Sequence, residues 1–82
     1  MQYPEEKLKQ VLSRIFNVSL DMITGDASPD TIENWDSVRH MNLVLALEEE
    51  FDFEFTDDQV VEIIIYALIK IVLKEHGIEF VQ

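Results

Sequence analysis

The sequence predicts an all-α fold, a small four-helix bundle of three longer helices and one short helix. Apolar residues recur at spacings of three and four along several stretches, which is typical of amphipathic helices. Helix-capping residues stand at the ends of those stretches. The chain has 82 residues, enough for one modest hydrophobic core, so we treat residues 1–82 as a single domain.

The first helix begins near Pro4, because the first helical turn tolerates proline. The acidic Glu5 and Glu6 suit the positive end of the helix dipole, and Asn17 ends the pattern. One face of this helix is predicted to be buried. Its apolar residues are Leu8, Val11, Leu12, Ile15 and Phe16.

A long irregular loop follows the first helix. The alternation of Val18, Leu20 and Met22 is too short and isolated to form a sheet, so we expect these side chains to pin the loop to the core. Residues 24–34 contain the turn-forming residues and show no periodicity. A loop of this kind in so small a domain usually serves function or flexibility.

The second helix begins at Asp36 or Ser37, both good N-cap residues, and runs to about Phe51. It is apolar nearly all round. One stripe contains Leu43, Val44, Ala46, Leu47 and Phe51, and the other contains Val38, Met41, Leu45 and Glu48 or Glu49. Since both stripes cannot face one small core, we expect the second to be kept for a partner. The alternative is that the long loop partly covers Met41 and Leu45.

Two further helices complete the chain. Thr56 begins the third helix, and Gln59 completes a capping box with it. The run Ile63–Ile65 contains no helix breaker, so the end of the third helix is left open, and the β-branched run could equally be a strained link. The last helix is predicted over Tyr66–His76 and ends at Gly77.

The chain is strongly acidic. It has 17 Asp and Glu against 6 Lys and Arg, a formal net charge of −11. Such a surface repels nucleic acid and anionic lipid. It either attracts proteins with basic patches or only keeps the chain soluble, and the charge alone leaves both interpretations open. Residues 1–9 are polar and charged, unlike a signal peptide, and the apolar stretch Ile63–Ile69 is too short to cross a bilayer. We expect a cytoplasmic protein with no membrane insertion and no nucleic-acid partner.

Catalytic and metal chemistry find little support in the sequence. The absence of cysteine excludes disulfides, thiolate metal ligands and a thiol nucleophile. The two histidines, His40 and His76, lie far apart in the sequence. An EF-hand loop starting at Asp52 requires Gly and Glu where Asp57 and Ile63 stand. We therefore expect neither an enzyme nor a metal site.

One motif carries a family resemblance. Asn34-Trp35-Asp36-Ser37-Val38 precedes the run Leu43-Val44-Leu45-Ala46-Leu47-Glu48-Glu49-Glu50-Phe51. This combination resembles the acyl carrier proteins, in which Asp-Ser-Leu begins a helix that ends in an acidic run plus Phe. The order of a leading helix, a long loop, the Asp-Ser helix, a short helix and a closing helix extends the resemblance to nearly the whole chain.

The resemblance implies a carrier without catalysis of its own. In this family a transferase moves a 4′-phosphopantetheine arm from coenzyme A onto a serine, here Ser37, and acyl groups travel as thioesters on the arm's thiol. Such carriers serve pathways like fatty acid or polyketide biosynthesis. Asp36 either supports the modifying enzyme's metal and substrate geometry or caps the helix, and both remain open. The rival interpretation is an unmodified, acidic, helical protein-interaction module.

The resemblance also implies where partners dock. In this family the helix of the modified serine meets the phosphopantetheinyl transferase and the acyl-loading ligases, synthases and acyltransferases, through their basic docking patches. The residues expected to contact these partners are Val38, Arg39, Met41, Leu45, Glu48 and Glu49. We expect the carrier itself to be a monomer.

Several residues depart from the family pattern. Val38 replaces the usual Leu, while Arg39 and His40 stand where many fatty-acid carriers have acidic or small polar residues. We interpret these changes as a sign of different partners, although His40 is expected to be an exposed residue without a role. Trp35 resembles specialised, stand-alone carriers. The bulky run Ile63–Ile65 predicts an acyl pocket that is small or closed when unloaded.

Overall fold

Four helices form the body of the protein in residues 2–81, the part of the chain that the computed structural model describes. The elements are β1 (Gln2–Pro4), α1 (Glu5–Phe16), α2 (Ser37–Phe51), α3 (Asp57–Glu62), α4 (Tyr66–Glu75) and β2 (Glu79–Val81). A single 3₁₀ turn, Leu20–Met22, lies in the loop between α1 and α2. The predicted bundle of three longer helices and one short helix is confirmed.

The helix boundaries follow the local signals in the sequence. Asn17 ends α1 in the left-handed conformation, with φ at 55°, and Gly77 follows α4 with φ at 84°. Thr56 and Gln59 form both bonds of the capping box at the start of α3, at 3.2 and 3.0 Å. Within residues 2–81, no helix combines the length and the apolar character needed to cross a bilayer.

The buried face of α1 is close to the predicted one. Leu8, Val11, Leu12 and Phe16 are buried, and Ile15 packs half-buried at the edge of the core. On α2 the buried residues are Leu43, Val44, Leu47 and Phe51. The two faces meet in one hydrophobic core that α4 closes with Tyr66, Ile69, Val72 and Leu73.

The loop between α1 and α2 contacts the core mainly through residues other than those expected. Leu20 and Met22 are 37% and 46% exposed, so the prediction that they hold the loop to the core is wrong. The reason is the 3₁₀ turn at Leu20–Met22, because an alternation of apolar residues defines two faces only where the chain is extended. Val18 packs half-buried against the core as expected, and further along the loop Ile23, Ala27 and Ile32 are buried.

The link between α3 and α4 is short and irregular. Helix α3 ends at Glu62, and the Ile64 N–H donates to the Glu62 carbonyl at 2.8 Å. Ile63 is fully buried, whereas Ile64 and Ile65 are exposed. Of the two alternatives that the sequence left open, the run Ile63–Ile65 is therefore a link between two separate helices.

A two-stranded parallel sheet, which the sequence did not predict, joins the two ends of the described chain. Gln2, Tyr3 and Pro4 of β1 pair with Glu79, Phe80 and Val81 of β2. The Phe51 ring contacts Tyr3 and Phe80 edge to face, with centroid distances of 4.9 and 5.5 Å. Strands of three residues show no readable alternation, and the paired residues lie far apart in the sequence, so no local signal predicts this sheet.

A polar cluster fixes the start of α1 to α4. Glu5 accepts hydrogen bonds from the Lys70 ammonium at 2.9 Å and from the Tyr66 hydroxyl at 3.1 Å. The Lys70 hydrogen bond, assisted by Tyr66 and opposed by partial burial, lowers the pKa of Glu5 below its ordinary value. Burial, together with the charge of Glu5, raises the pKa of Tyr66.

Glu5→Gln is expected to flatten the acid side of the stability profile. Because the folded state lowers the pKa of Glu5, the ionised carboxylate stabilises the fold above the unfolded pKa, and this contribution is lost as the pH falls through the folded pKa. The free energy of unfolding of the wild type should therefore drop by about 1 kcal/mol more than that of Glu5→Gln between about pH 5 and pH 3. Urea denaturation at a series of pH values measures this difference. The matched control is the exposed neighbour, Glu6→Gln, and parallel curves for wild type and Glu5→Gln would contradict the assignment.

Candidate functional site

The start of α2 is capped by Asp36. Its backbone is extended, and its Oδ1 accepts a hydrogen bond from the Arg39 N–H at 2.8 Å. The Asp36 carbonyl also accepts the His40 N–H at 2.8 Å, which is the first hydrogen bond of the helix. A carboxylate at this position satisfies a free backbone N–H and favours the positive end of the helix dipole.

Because Asp36 is the N-cap of α2, the Ser37 hydroxyl does not serve as the cap. It is the first residue of α2, its side chain is exposed, and it makes no hydrogen bond with any residue of the described range 2–81. Within the same range the N–H groups of Ser37 and Val38 have no acceptor, as expected in the first turn of a helix. The site thus offers a free hydroxyl beside two free N–H donors.

The residues around Ser37 fasten the start of α2 to the end of α1. The Asn34 amide donates to the Phe16 carbonyl at 3.0 Å, and Arg39 Nη1 donates to the Ile15 carbonyl at 2.8 Å. Both carbonyls belong to the last turn of α1, where they have no partner within the helix. The buried Trp35 indole stacks on the Phe16 ring with a centroid distance of 4.6 Å. At least one side-chain N–H group of Arg39 is thus used in a hydrogen bond within the molecule.

His40 corrects an expectation from the sequence. It is half-buried, not exposed, and both ring nitrogens are engaged. Nδ1 lies 3.0 Å from Trp35 Nε1, and Nε2 lies 2.7 Å from the Val60 carbonyl oxygen of α3. The sequence could not reveal this role, because Val60 is twenty positions further along the chain.

An apolar groove of about 470 Å³ opens next to Ser37 between the start of α2 and α3. It is lined by Pro29, Trp35, Asp36, Ser37, His40, Met41, Val60, Val61 and Ile64. Ile63 is fully buried in the core, whereas Ile64 turns outward and lines this surface groove. The acyl pocket between the helices that the bulky run Ile63–Ile65 predicts, small or closed when unloaded, is a separate feature and stays a prediction.

The outward stripe of α2 lies in solvent as predicted. Val38, Met41 and Leu45 are 71%, 49% and 60% exposed, so all three are accessible from solvent and any cover of Met41 and Leu45 by the long loop is only partial. Glu49 is also exposed, whereas Glu48 is half-buried and its Oε2 accepts the Phe55 N–H at 2.8 Å.

Two residues missed by the sequence reasoning extend this apolar surface. Val61 is 69% exposed and Ile64 is 47% exposed, and both line the groove across from Met41. The signal was the apolar run from Val60 to Ile65, whose inward and outward residues could not be separated without the end of α3.

Comparison with known proteins finds sequence relatives of the chain. No protein-family model matches the chain. The acyl carrier protein of Buchnera aphidicola subsp. Schizaphis graminum (strain Sg) is 36% identical over 58 residues, which is 71% of this chain and 73% of that protein. Acyl carrier proteins from Buchnera aphidicola subsp. Acyrthosiphon pisum, strains Tuc7 and 5A, are each 34% identical over 59 residues, or 72% of this chain and 74% of theirs. With this similarity and its four-helix fold, the chain belongs to the acyl carrier protein family, whose members are carriers and not enzymes.

Proposed function

We propose that this protein carries acyl or related intermediates as thioesters on a 4′-phosphopantetheine arm attached to Ser37, and presents them to partner enzymes. Its membership of the acyl carrier protein family supports the class of function. The observation that carries the assignment to Ser37 is that the neighbouring residue, Asp36, caps α2. Asp36 provides the cap, so the Ser37 hydroxyl is exposed and unbonded among residues 2–81.

The residues around Ser37 fit such an arm. Its phosphate would lie at the positive end of a 15-residue helix, beside the free N–H groups of Ser37 and Val38. The apolar groove begins at Ser37 and offers a surface on which the rest of the arm can lie. When bound, the group supplies the terminal thiol that this cysteine-free chain lacks.

Asp36 is compatible with both roles that the sequence left open. Oδ1 accepts the Arg39 N–H and so caps α2. Because the residue is exposed, we propose that its carboxylate also supports the metal and substrate geometry of the phosphopantetheinyl transferase during attachment. The cap and the supporting role therefore need not exclude each other.

The proposed docking face is the outward stripe of α2, formed by Val38, Arg39, Met41, Leu45, Glu48 and Glu49. Its apolar members are exposed, and its acidic members suit a basic, partly apolar surface on the partner. Arg39 and Glu48 lie at its margins, since each also makes a hydrogen bond inside the molecule. The partners we propose are the phosphopantetheinyl transferase, acyl-loading ligases or synthases, and acyltransferases.

We further propose a specialised, stand-alone carrier that acts as a cytoplasmic monomer, with residues 1–82 as one carrier domain. Trp35, Arg39 and His40, which depart from the common family pattern, join the start of α2 to α1 and α3. These contacts support a distinct type of carrier.

Incubation with coenzyme A and a phosphopantetheinyl transferase tests the proposal. Intact mass spectrometry should show the gain of one arm, and peptide mapping should place it on the peptide that contains Ser37. A chain that keeps its mass, under conditions where a control carrier is modified, would favour the rival interpretation as an unmodified acidic interaction module.

A further inference from the structure

His40 connects two parts of the molecule that flank the groove. Its Nδ1 lies 3.0 Å from the indole nitrogen of Trp35, and its Nε2 lies 2.7 Å from the carbonyl oxygen of Val60. An indole N–H can only donate and a carbonyl oxygen can only accept. The imidazole that satisfies both partners is therefore neutral and carries its proton on Nε2.

The Val60 carbonyl needs a donor from outside its helix. In a longer helix it would accept the Ile64 N–H, but α3 ends at Glu62, and the Ile64 N–H donates to the Glu62 carbonyl instead. Carbonyls in the last turn of a helix have no internal partner. His40 supplies the missing donor and so caps the end of α3 from the neighbouring helix.

Helix α3 makes limited apolar contact with the rest of the molecule. None of its six residues is fully buried, and Val60 packs half-buried against the core, so polar contacts add to the packing that holds α3 in place. A further hydrogen bond to α3 from outside the helix joins His76 Nε2 and Gln59 Oε1 at 2.8 Å. Both histidines of the chain therefore bind consecutive residues of the same short helix.

The position of α3 determines the shape of the groove beside Ser37. Val60 and Val61 of α3 form one side of this groove, while His40 and Met41 of α2 form the other. His40 thus holds the two walls together at one point. A shift of α3 away from α2 would widen the groove where it starts, next to Ser37.

We propose that His40 is a positioning residue that holds α3 against the start of α2 and thereby sets the width of the groove available to the arm and its cargo. It acts through Val60 and Trp35, and it acts as the neutral imidazole protonated on Nε2. The link to the arm rests on the proposed function, whereas the placement of α3 belongs to the unmodified chain.

Three substitutions separate the two hydrogen bonds of His40. In His40→Gln the side-chain amide reaches the position of Nε2 and keeps a donor for Val60. In His40→Asn the side chain reaches only the position of Nδ1, and in His40→Phe a ring of similar shape makes neither bond. We expect amide exchange at Val60 and Ile63 to become about five- to tenfold faster in the Asn and Phe variants, because α3 loses one hydrogen bond. The Gln variant should retain exchange close to that of the wild type.

The controls distinguish positioning from general destabilisation. The Ile69 amide in α4 should exchange at the wild-type rate in all variants, and the exposed Asn42→Ala in the same helix as His40 should leave α3 unchanged. Nitrogen-15 NMR of the wild-type imidazole should show a protonated Nε2 and a bare Nδ1. Unchanged α3 exchange in His40→Phe, no rescue by Gln, or a mixture of the two tautomers would overturn the proposal.

The arm-bearing protein supplies the last measurement. Alkylation of the arm thiol by iodoacetamide should be faster in His40→Phe than in wild type or His40→Gln, since a wider groove shields the arm less. If neither wild type nor variants accept the arm but α3 responds to His40, the proposed function fails while the positioning role stands. If all accept the arm but neither α3 exchange nor thiol reactivity changes, the positioning role fails.

Discussion

Replacing Ser37 with Ala is expected to abolish attachment of the arm while leaving the fold intact. The hydroxyl is the proposed acceptor, so no arm should be gained even after prolonged incubation with the transferase. The fold should survive because Ser37 is exposed, makes no hydrogen bond within residues 2–81 and leaves the Asp36 cap in place. Ala is also a strong helix former, so the free energy of unfolding should change by no more than about 0.5 kcal/mol. Intact mass and urea denaturation measure the two effects.

Matched controls isolate the site. Ser19→Ala, an exposed serine outside the helices, should accept the arm like the wild type. A Ser37→Ala protein that still gains the arm would refute the assignment.

Asp36→Asn is expected to slow attachment of the arm without unfolding the helix start. Asn is as good an N-cap as Asp, so the stability of α2 should change little. The proposed role of the carboxylate in the transferase complex would be lost, and kcat/KM for attachment should fall about tenfold or more, as for a lost charged hydrogen bond. An Asn variant modified at the wild-type rate would show that Asp36 serves only as the cap.

Leu47→Ala is expected to reduce mainly the stability of the fold, and Leu45→Ala mainly the binding of partners, although the two leucines lie two residues apart in α2. Leu47 is fully buried, so its truncation leaves a cavity and should cost about 2–5 kcal/mol. The whole domain is expected to be stable by only about 4–12 kcal/mol, so this loss brings it close to unfolding. Leu45 is 60% exposed, so its truncation should cost less than about 0.5 kcal/mol.

For binding to the transferase, the larger effect is expected from Leu45→Ala and the smaller one from Leu47→Ala. Leu45→Ala removes an apolar contact from the proposed docking face, so KM for the phosphopantetheinyl transferase should rise about five- to tenfold. Leu47→Ala should keep a near-normal KM under conditions where it remains folded. Equal losses of stability would contradict the two stripes of α2, and an unchanged KM for Leu45→Ala would remove Leu45 from the docking face.

Most of the fold could be predicted because its signals are local. The spacing of Leu8, Val11 and Leu12 identifies the buried face of α1, and Thr56 with Gln59 marks the start of α3. These patterns involve residues three or four apart, which lie on the same face of any α-helix, so they can be recognised without knowing the rest of the fold. The terminal strands escaped prediction because their pairing joins residues at opposite ends of the chain.

The residues that depart from the family pattern make contacts with distant parts of the chain. From the sequence, Arg39 and His40 appeared as surface residues near the candidate serine. In the structure they bind the carbonyls of Ile15 and Val60, which are 24 and 20 positions away. No local pattern encodes these contacts, because they depend on how α1 and α3 pack against α2.

The sequence by itself determined the helices, the acidic surface, the family resemblance and the choice of Asp36-Ser37 as the point of interest. All of these depend on residue types and short spacings. Only the tertiary structure decided that Asp36 takes the cap while Ser37 stays free of internal bonds, and that an open groove begins beside it. It also decided that His40 ties α2 to α3. The physical reason is that hydrogen-bond partners and cavities are set by the packing of distant segments, which the order of residues along the chain does not reveal.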